Sequence, residues 1–439
     1  MQLVIIAGGK GTRLGLKDIP KPMVKIGDKP LLEHQIELAK KYGFKEIYIL
    51  SGHLASVIEE YFGDGAKWGV KIHHVIEPYP LGTAGSVKLL EDKIKDRFMV
   101  FYGDVVMDFD IDSFVEFDKV HASPLRGEGG YTIGTTLVHP NDHPHDSDLL
   151  AVDENDKVTK VLPKPHKEGE YYQNLVNAAV YILSPKIFEY IKDGISQDFG
   201  KHILPKVVEA GETLIAYSTP EYIKDMGTAE RFEKVCDDFL SGKVAKLNKK
   251  NPRPAIFIDR DGVINKDMDT NPKTELFEFL PEAIDAIKQI NKSEYLSIVV
   301  TNQPMIAKGF VSFDEVYETH RKMETILGEN GAYLNKIYFC PHHPEKGFEG
   351  EIKELKIDCE CRKPKAGMLY KAQQELNIDM ENSWMIGDKE TDILCGRLGN
   401  CKTILVCGKI DELSGVKTQA DFVCKNLSDA IKLIIDNKK

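Results

Sequence analysis

The chain has 439 residues, room for two large domains or three ordinary ones, and its 42% hydrophobic and 29% charged residues fit folded globular domains. A formal net charge of -11 argues against nucleic acid as a partner, although phosphate substrates need only local positive charge. No apolar run approaches the ~18 residues of a membrane span and Met1-Gln2 runs straight into Leu3-Val4-Ile5-Ile6 without a signal peptide, so a cytoplasmic protein with no membrane partner is expected.

Leu3-Val4-Ile5-Ile6 reads as a buried strand, and Ala7-Gly8-Gly9-Lys10-Gly11-Thr12-Arg13-Leu14 follows at once. Glycines let a backbone approach a ligand and turn successive N–H groups toward it. Gly8, Gly9, Gly11 and Thr12 can therefore cradle a polyphosphate, with Lys10 and Arg13 balancing its charge. Leu14 fits neither a Walker A loop nor G-x-G-x-x-G. Pro20-Lys21-Pro22 adds a cation in a rigid frame. Leu32, Ile36 and Ala39 share a face of a helix that opens after Pro30 and stops near Gly43. Ile47-Tyr48-Ile49-Leu50 is the next strand, and alternating helix and strand signals predict a doubly wound, mostly parallel sheet. A second glycine loop, Pro80-Leu81-Gly82-Thr83-Ala84-Gly85, precedes the strand Phe98-Met99-Val100-Phe101-Tyr102, which delivers Asp104 to its carboxyl end.

The glycine-rich loop with Pro20-Lys21-Pro22 resembles the signature of the sugar-1-phosphate nucleotidyltransferases. That resemblance implies that Gly82 and Thr83 lie against the nucleotide base. It implies that Asp104 and Asp225, the latter in Asp225-Met226-Gly227-Thr228, hold Mg²⁺. Arg13 and Lys21 would act on the phosphates during transfer, Lys164 would hold a sugar phosphate, and Asn177 would touch a sugar hydroxyl. The chain departs from the family in having Pro163-Lys164-Pro165 for Glu-Lys-Pro and Asn177-Ala178-Ala179 for Asn-Ala-Gly, which puts the sugar in question. His139-Pro140-Asn141-Asp142-His143-Pro144-His145-Asp146 is stiffened by two prolines and reads as a rigid surface loop near the sugar pocket, not a metal tract. The first domain is expected over 1–240. Ser241 to Pro254 is rich in Lys, Asn and Pro, the composition of a solvated linker over 241–254.

The second domain, 255–439, opens on Ala255-Ile256-Phe257-Ile258-Asp259-Arg260-Asp261-Gly262. Open α/β sheets bind ligands at the carboxyl ends of their strands, where this motif places two carboxylates. One can attack a phosphorus while the other manages the proton. Pro281 introduces a helix with Ala283, Ile287 and Ile290 on one face. The strand Leu296–Val300 ends in Thr301-Asn302-Gln303, and Trp384-Met385-Ile386 ends in Gly387-Asp388-Lys389. These polar strand ends suit one phosphate and one Mg²⁺. Cys340-Pro341-His342 and Cys359-Glu360-Cys361 supply three thiolates and an imidazole, a closed and therefore structural Zn²⁺ set, with His343 as the alternative to His342.

Together the polar strand ends resemble the haloacid dehalogenase phosphatases. The resemblance implies that Asp259 is a nucleophile and Asp261 the acid and base. Asp259, the Asp261 carbonyl and Asp388 would hold Mg²⁺, while Thr301 and Lys363 steady the phosphoryl group. Cys-Pro-His-His-Pro and Cys-x-Cys-Arg-Lys-Pro narrow it to the heptose bisphosphate phosphatases, in which Asn302, Gln303, Arg362, Lys363 and Lys389 face substrate and Asp267 to Thr270 form a sugar wall.

The fold class is thus α/β, a Rossmann-like nucleotidyltransferase domain joined to a haloacid dehalogenase-like domain with a zinc loop. The order resembles proteins that fuse a heptose 1-phosphate guanylyltransferase to a heptose bisphosphate phosphatase. Heptose bisphosphate, heptose 1-phosphate and a nucleoside triphosphate, by resemblance GTP with the α anomer, are the implied small-molecule partners, and a homo-oligomer is left open. The alternatives are transfer to mannose or another hexose 1-phosphate, a histidinol-phosphate-type phosphatase, or one half acting as a non-catalytic sensor.

Overall fold

A computed structural model describes residues 1–9, 11, 15, 18–122, 132–268, 273–408 and 418–436. It divides into two compact units. The first holds Met1–His139, Ser147–Lys164 and Leu175–Asn248, and the second holds Pro140–Asp146, Pro165–Asn174 and Lys249–Lys439.

The first unit is built on a nine-stranded sheet among the described residues. Gln2–Ile6 lies at its centre, parallel to Glu46–Ser51 on one side and Phe98–Tyr102 on the other. Val176–Leu183 then runs antiparallel to Phe98–Tyr102 and carries the sheet into an antiparallel half. From Leu3 to Ile6 the central strand is apolar because both its faces are covered. Leu3 and Ile5 enter one core cluster and Val4 the other, as the two-residue period of a strand requires. The helix Leu31–Lys41 buries Leu32, Ile36 and Ala39, the face its spacing foretold.

The second unit has a six-stranded, wholly parallel sheet among the described residues. Its order is Lys336–Cys340, Leu296–Asn302, Ala255–Ile258, Trp384–Gly387, Lys402–Val406, Phe422–Cys424. The chain order reverses at Ala255–Ile258, so the crevice beyond its carboxyl end is the switch point at which such sheets take ligands. Helix Ala283–Lys292 covers one face with Ala283, Ile287 and Ile290, each isoleucine worth ~1.5–3 kcal/mol of burial.

Two expectations need correction. The stretch 241–254 is not a solvated tether. It carries a helix, Lys243–Lys246, whose Val244 is buried with Ile26, Leu31 and Tyr222, and Asn248 donates to Asp108 at 2.7 Å. The first unit therefore runs to Asn248. The proline-rich stretch after His139 is not simply a surface loop either. Pro140–Asp146 groups with the second unit, where Pro144 packs on Gly328 and Asn141 and Asn174 exchange hydrogen bonds. No described helix is long and apolar enough to cross a membrane.

Candidate active sites

In the second unit two strand ends meet at a cluster of carboxylates. Asp259 and Asp388 follow the paired strands Ala255–Ile258 and Trp384–Gly387. With Asp392, in the first turn of helix Glu390–Leu398, their carboxylate oxygens lie within 4.8 Å of one another. Lys363 reaches into this cluster, 2.8 Å from Asp259 and 2.6 Å from Asp392, and also donates to the Val300 carbonyl at 2.9 Å. Burial pushes the Asp259 carboxyl up, against Lys363, and the neighbouring Asp392 and Asp388 add to the rise. Burial likewise pushes Asp388 up to about 6. For Lys363 burial works downward, yet the two carboxylates hold its ammonium above the ordinary lysine range. Three crowded carboxylates, with Asp388 Oδ1 buried and lacking a hydrogen-bond partner among the described residues, fit a hard divalent cation.

Gly262 explains the glycine of the opening motif. Its φ is +81°, and a Cβ there would stand 2.4 Å from Asp388 Oδ2. Only glycine lets the Asp259–Asp261 turn lie against Asp388.

Asp261 is not one of the three clustered carboxylates. It accepts from Arg260 at 2.7 Å, Asn265 at 2.9 Å and Gln303 at 2.9 Å. Burial works upward on its pKa, but Arg260 and the two amides bring it below the usual carboxylate range. Several residues expected to face substrate prove to brace others. Gln303 also donates to Thr301 Oγ1 and accepts from Arg260. Asn302 grips the Lys363 main chain at both N–H and carbonyl, each at 3.1 Å. Arg362 donates to the His342 carbonyl, and Lys389 faces Asp267 at 3.5 Å. Thr270 lies outside the described residues.

Cys340 ends a strand directly beside Asn302. Its Sγ lies 3.5 Å from that of Cys359 and 3.2 Å from that of Cys361, and His342 Nδ1 is 3.3 Å from Cys361. None of these thiols forms a disulfide. A tetrahedral ion with metal–sulfur bonds of ~2.3 Å sets sulfurs ~3.8 Å apart, so the set fits one after slight expansion. Of the two histidines, His342 joins the cluster, and His343 is buried elsewhere near Phe348.

In the first unit, Lys21 stands 2.6 Å from Asp104. Pro22 packs over Gly103 and brings the cation there. The antiparallel pair Val105–Asp108 and Tyr222–Asp225 sets Asp225 opposite Val105, beside Asp104. Burial raises the Asp225 pKa, but Arg231, at 3.1 Å, and the Gly227 N–H bring it below the usual range. Gly8 and Gly9 follow the central strand, and a Cβ on Gly8 would meet Glu77 at 2.4 Å. Gly11 is described, whereas Thr12 and Arg13 lie outside the described residues. Gly82 has φ +72° and touches the Gln197 carbonyl, while Thr83 donates to Asp198 at 2.9 Å and so ties down that loop. Asn177 accepts from Thr136 at 3.3 Å, and the Lys164 N–H donates to Asp148 at 3.1 Å.

Asp392, Arg260 and Arg231 were not foreseen. Asp392 had one signal, its place four residues after Asp388. Arg260 was visible inside the motif, but nothing local says which carboxylate it serves.

These two sites define an enzyme of two modules, a nucleotidyl-transfer module followed by a phosphomonoester hydrolase. The Nucleotidyl transferase family matches residues 2–242, and the HAD-hydrolase-like family matches 360–430. The D-glycero-beta-D-manno-heptose-1,7-bisphosphate 7-phosphatase of Pasteurella multocida is 42% identical over 42% of this chain and 97% of its own length. The D-glycero-alpha-D-manno-heptose-1,7-bisphosphate 7-phosphatase of Burkholderia mallei is 38% identical over 41% of this chain and 93% of its own. Among solved structures, HddC from Yersinia pseudotuberculosis complexed with GMP-PN is 29% identical, over 54% of this chain and 99% of that one, with a TM-score of 0.45. The chain belongs to the nucleotidyl transferase family through its first half and to the heptose-1,7-bisphosphate 7-phosphatase family through its second.

Proposed function

We propose that the second half removes the C7 phosphate of D-glycero-D-manno-heptose 1,7-bisphosphate. The first half then joins the resulting heptose 1-phosphate to a nucleotide, GMP from GTP, giving GDP-heptose and pyrophosphate. One observation carries the reading. A phosphatase half aligned with 97% of a heptose bisphosphate phosphatase is joined to a nucleotidyl transferase half, and the product of the first reaction has the chemistry of a substrate for the second. GTP as donor rests on the resemblance drawn from the sequence.

In the phosphatase half, an Asp259 oxygen attacks the phosphorus and the bond to the C7 oxygen breaks. Asp261 gives the leaving alkoxide a proton. Water then attacks the aspartyl-phosphate, yields its proton to Asp261, and inorganic phosphate leaves. Asp261 is ionised before substrate arrives, which suits the second step. The incoming phosphate dianion raises its proton affinity for the first. Lys363 neutralises the attacking carboxylate and the phosphoryl oxygens, with Asp392 and Asn302 holding it in place. Mg²⁺ held by Asp259, Asp388 and the Asp261 carbonyl would supply charge stabilisation to the phosphoryl group. Zn²⁺ in the Cys340, His342, Cys359, Cys361 set would be structural.

In the transferase half, a phosphate oxygen of heptose 1-phosphate attacks the α-phosphorus and pyrophosphate departs. Lys21 and Arg13 neutralise phosphate charge there, and Lys164 holds the sugar phosphate. Asp104, just before the strand Val105–Asp108, and Asp225, paired opposite Val105, would hold a second Mg²⁺, which would supply charge stabilisation to the phosphates.

The test supplies heptose 1,7-bisphosphate of each anomer with each nucleoside triphosphate and follows phosphate and pyrophosphate separately. Asp259→Asn should abolish phosphate release and leave pyrophosphate release from added heptose 1-phosphate. Loss of both from a folded variant, or faster cleavage of histidinol phosphate, defeats the reading.

A further inference from the structure

The transferase half has a carboxylate that none of its assigned roles uses. Asp148 is half-buried just before the strand Leu149–Val152. Its Oδ1 accepts the Lys164 N–H at 3.1 Å, and its main-chain carbonyl accepts the Asn177 N–H at 3.0 Å. It thus links two positions that the functional reading places at the sugar phosphate and at a sugar hydroxyl. Its other oxygen, Oδ2, makes no hydrogen bond among the described residues. That oxygen faces Gly200, where a Cβ would lie 3.3 Å from it, 3.7 Å from Asn177 Nδ2 and 3.5 Å from Asp198 Oδ1.

The three polar atoms thus surround one point from which glycine keeps any side chain away. Their commitments differ. Asp198 is spent on local structure: it accepts from Thr83 and from the Lys201 N–H at the start of the next helical turn. Asn177 accepts through Oδ1 from Thr136 and from the Ala179 N–H. Asp148 alone of the three keeps a carboxylate oxygen without such a partner. Position 163, next to Lys164, is proline and supplies no side-chain acceptor.

We propose that Asp148 is a specificity-determining residue of the transferase half, whose Oδ2 accepts a hydrogen bond from a hydroxyl of the incoming sugar 1-phosphate. This rests on the transferase reading above. A site built to accept a hydroxyl discriminates against a substrate lacking it, because the acceptor covered by the bound sugar is then left unpaired. The Lys164 N–H fixes one oxygen of the carboxylate, so the other is pre-set relative to the sugar-phosphate position and need not be ordered on binding.

The experiment uses the full chain and its Asp148→Ala and Asp148→Asn variants. Pyrophosphate release is measured at varied sugar 1-phosphate and, separately, at varied GTP. The substrates are heptose 1-phosphate and its singly deoxygenated analogues. Asp148→Ala should raise KM for the sugar at least tenfold and leave KM for GTP within twofold. Phosphate release from the bisphosphate should stay unchanged. One deoxy analogue should react poorly with the unmodified enzyme and no worse with the variant, which identifies the hydroxyl that Asp148 holds. Asp148→Asn, which keeps an acceptor oxygen, should fall between. Equal losses for every deoxy analogue in both proteins, or parallel rises in both KM values, would assign Asp148 to loop structure and overturn the proposal. If the unmodified chain releases no pyrophosphate with any sugar 1-phosphate, the transferase reading itself fails, and this with it.

Discussion

Lys363 and Asp392 form an ion pair of 2.6 Å in which both side chains are about 1% exposed. The same ammonium touches Asp259, so one cation serves two buried carboxylates. Removing it leaves those charges uncompensated, a change that costs ~3–5 kcal/mol. Lys363→Met should therefore lower the urea midpoint of the second unit and cut phosphate release by about a thousandfold. Pyrophosphate release should persist. A Lys363→Met protein with unaltered phosphate release would show that the cation is not part of the site.

Gly262 offers a purely steric test. Alanine there must adopt φ +81° and would press on Asp388 Oδ2. Gly262→Ala should weaken Mg²⁺-dependent phosphate release by about a hundredfold or more, while Gly408→Ala, whose Cβ meets no atom of the described residues within 4 Å, should leave it intact.

The pH dependence of Mg²⁺ binding has a definite sign. Asp388 has its carboxyl pushed up to about 6, and Asp259 is also raised, so protons compete with the metal at mildly acidic pH. Affinity read from the Mg²⁺-induced rise in melting temperature should be full at pH 8 and fall steadily below pH 6. A flat response from pH 8 to 5 would contradict the burial of these carboxylates.

His320 affects stability in the acid range. Burial, with Arg260 beside it, holds its imidazole down to about 3. The unfolded chain protonates near pH 6.5, so this residue contributes stability that is lost as pH falls below that value, at up to ~1.4 kcal/mol per pH unit. His320→Gln should melt with a shallower dependence between pH 6.5 and 5. An unchanged slope would mean that the imidazole takes up a proton in the folded state.

Ala179 sits at φ +58° in an irregular stretch of Val176–Leu183, where the register against Gly134–His139 shifts between Asn177 and Tyr181. The left-handed region costs a non-glycine residue ~1–2 kcal/mol, and glycine loses part of that gain to chain entropy. Ala179→Gly should raise the stability of the first unit by about 0.5–1 kcal/mol by denaturant unfolding. A decrease would show that the methyl group packs usefully.

The departure at position 179 was legible as a missing glycine, but its meaning was not, because φ is set by the sheet register around Asn177. The same divide runs through the phosphatase site. Asp259, Asp261, Asp388 and Lys363 could be picked out because each lies at the end of an apolar strand or within a compact motif. Asn302 and Gln303 were picked out too, but as groups facing substrate, whereas one clamps Lys363 and the other holds Asp261.

The sequence by itself determined the two modules, their order, the polar strand ends and the three cysteines that gather with one of two histidines near Cys340. These are local properties: apolar runs, glycine loops and short spacings survive without knowledge of what lies opposite. Tertiary structure alone decided that His342 and not His343 completes the cysteine set, that Asp392 joins Asp259, and that Gly262 exists for Asp388. Each of those depends on which strands pair and in what register, and therefore on which side chains, tens or more than a hundred residues apart, share a few ångströms at the sheet's carboxyl edge.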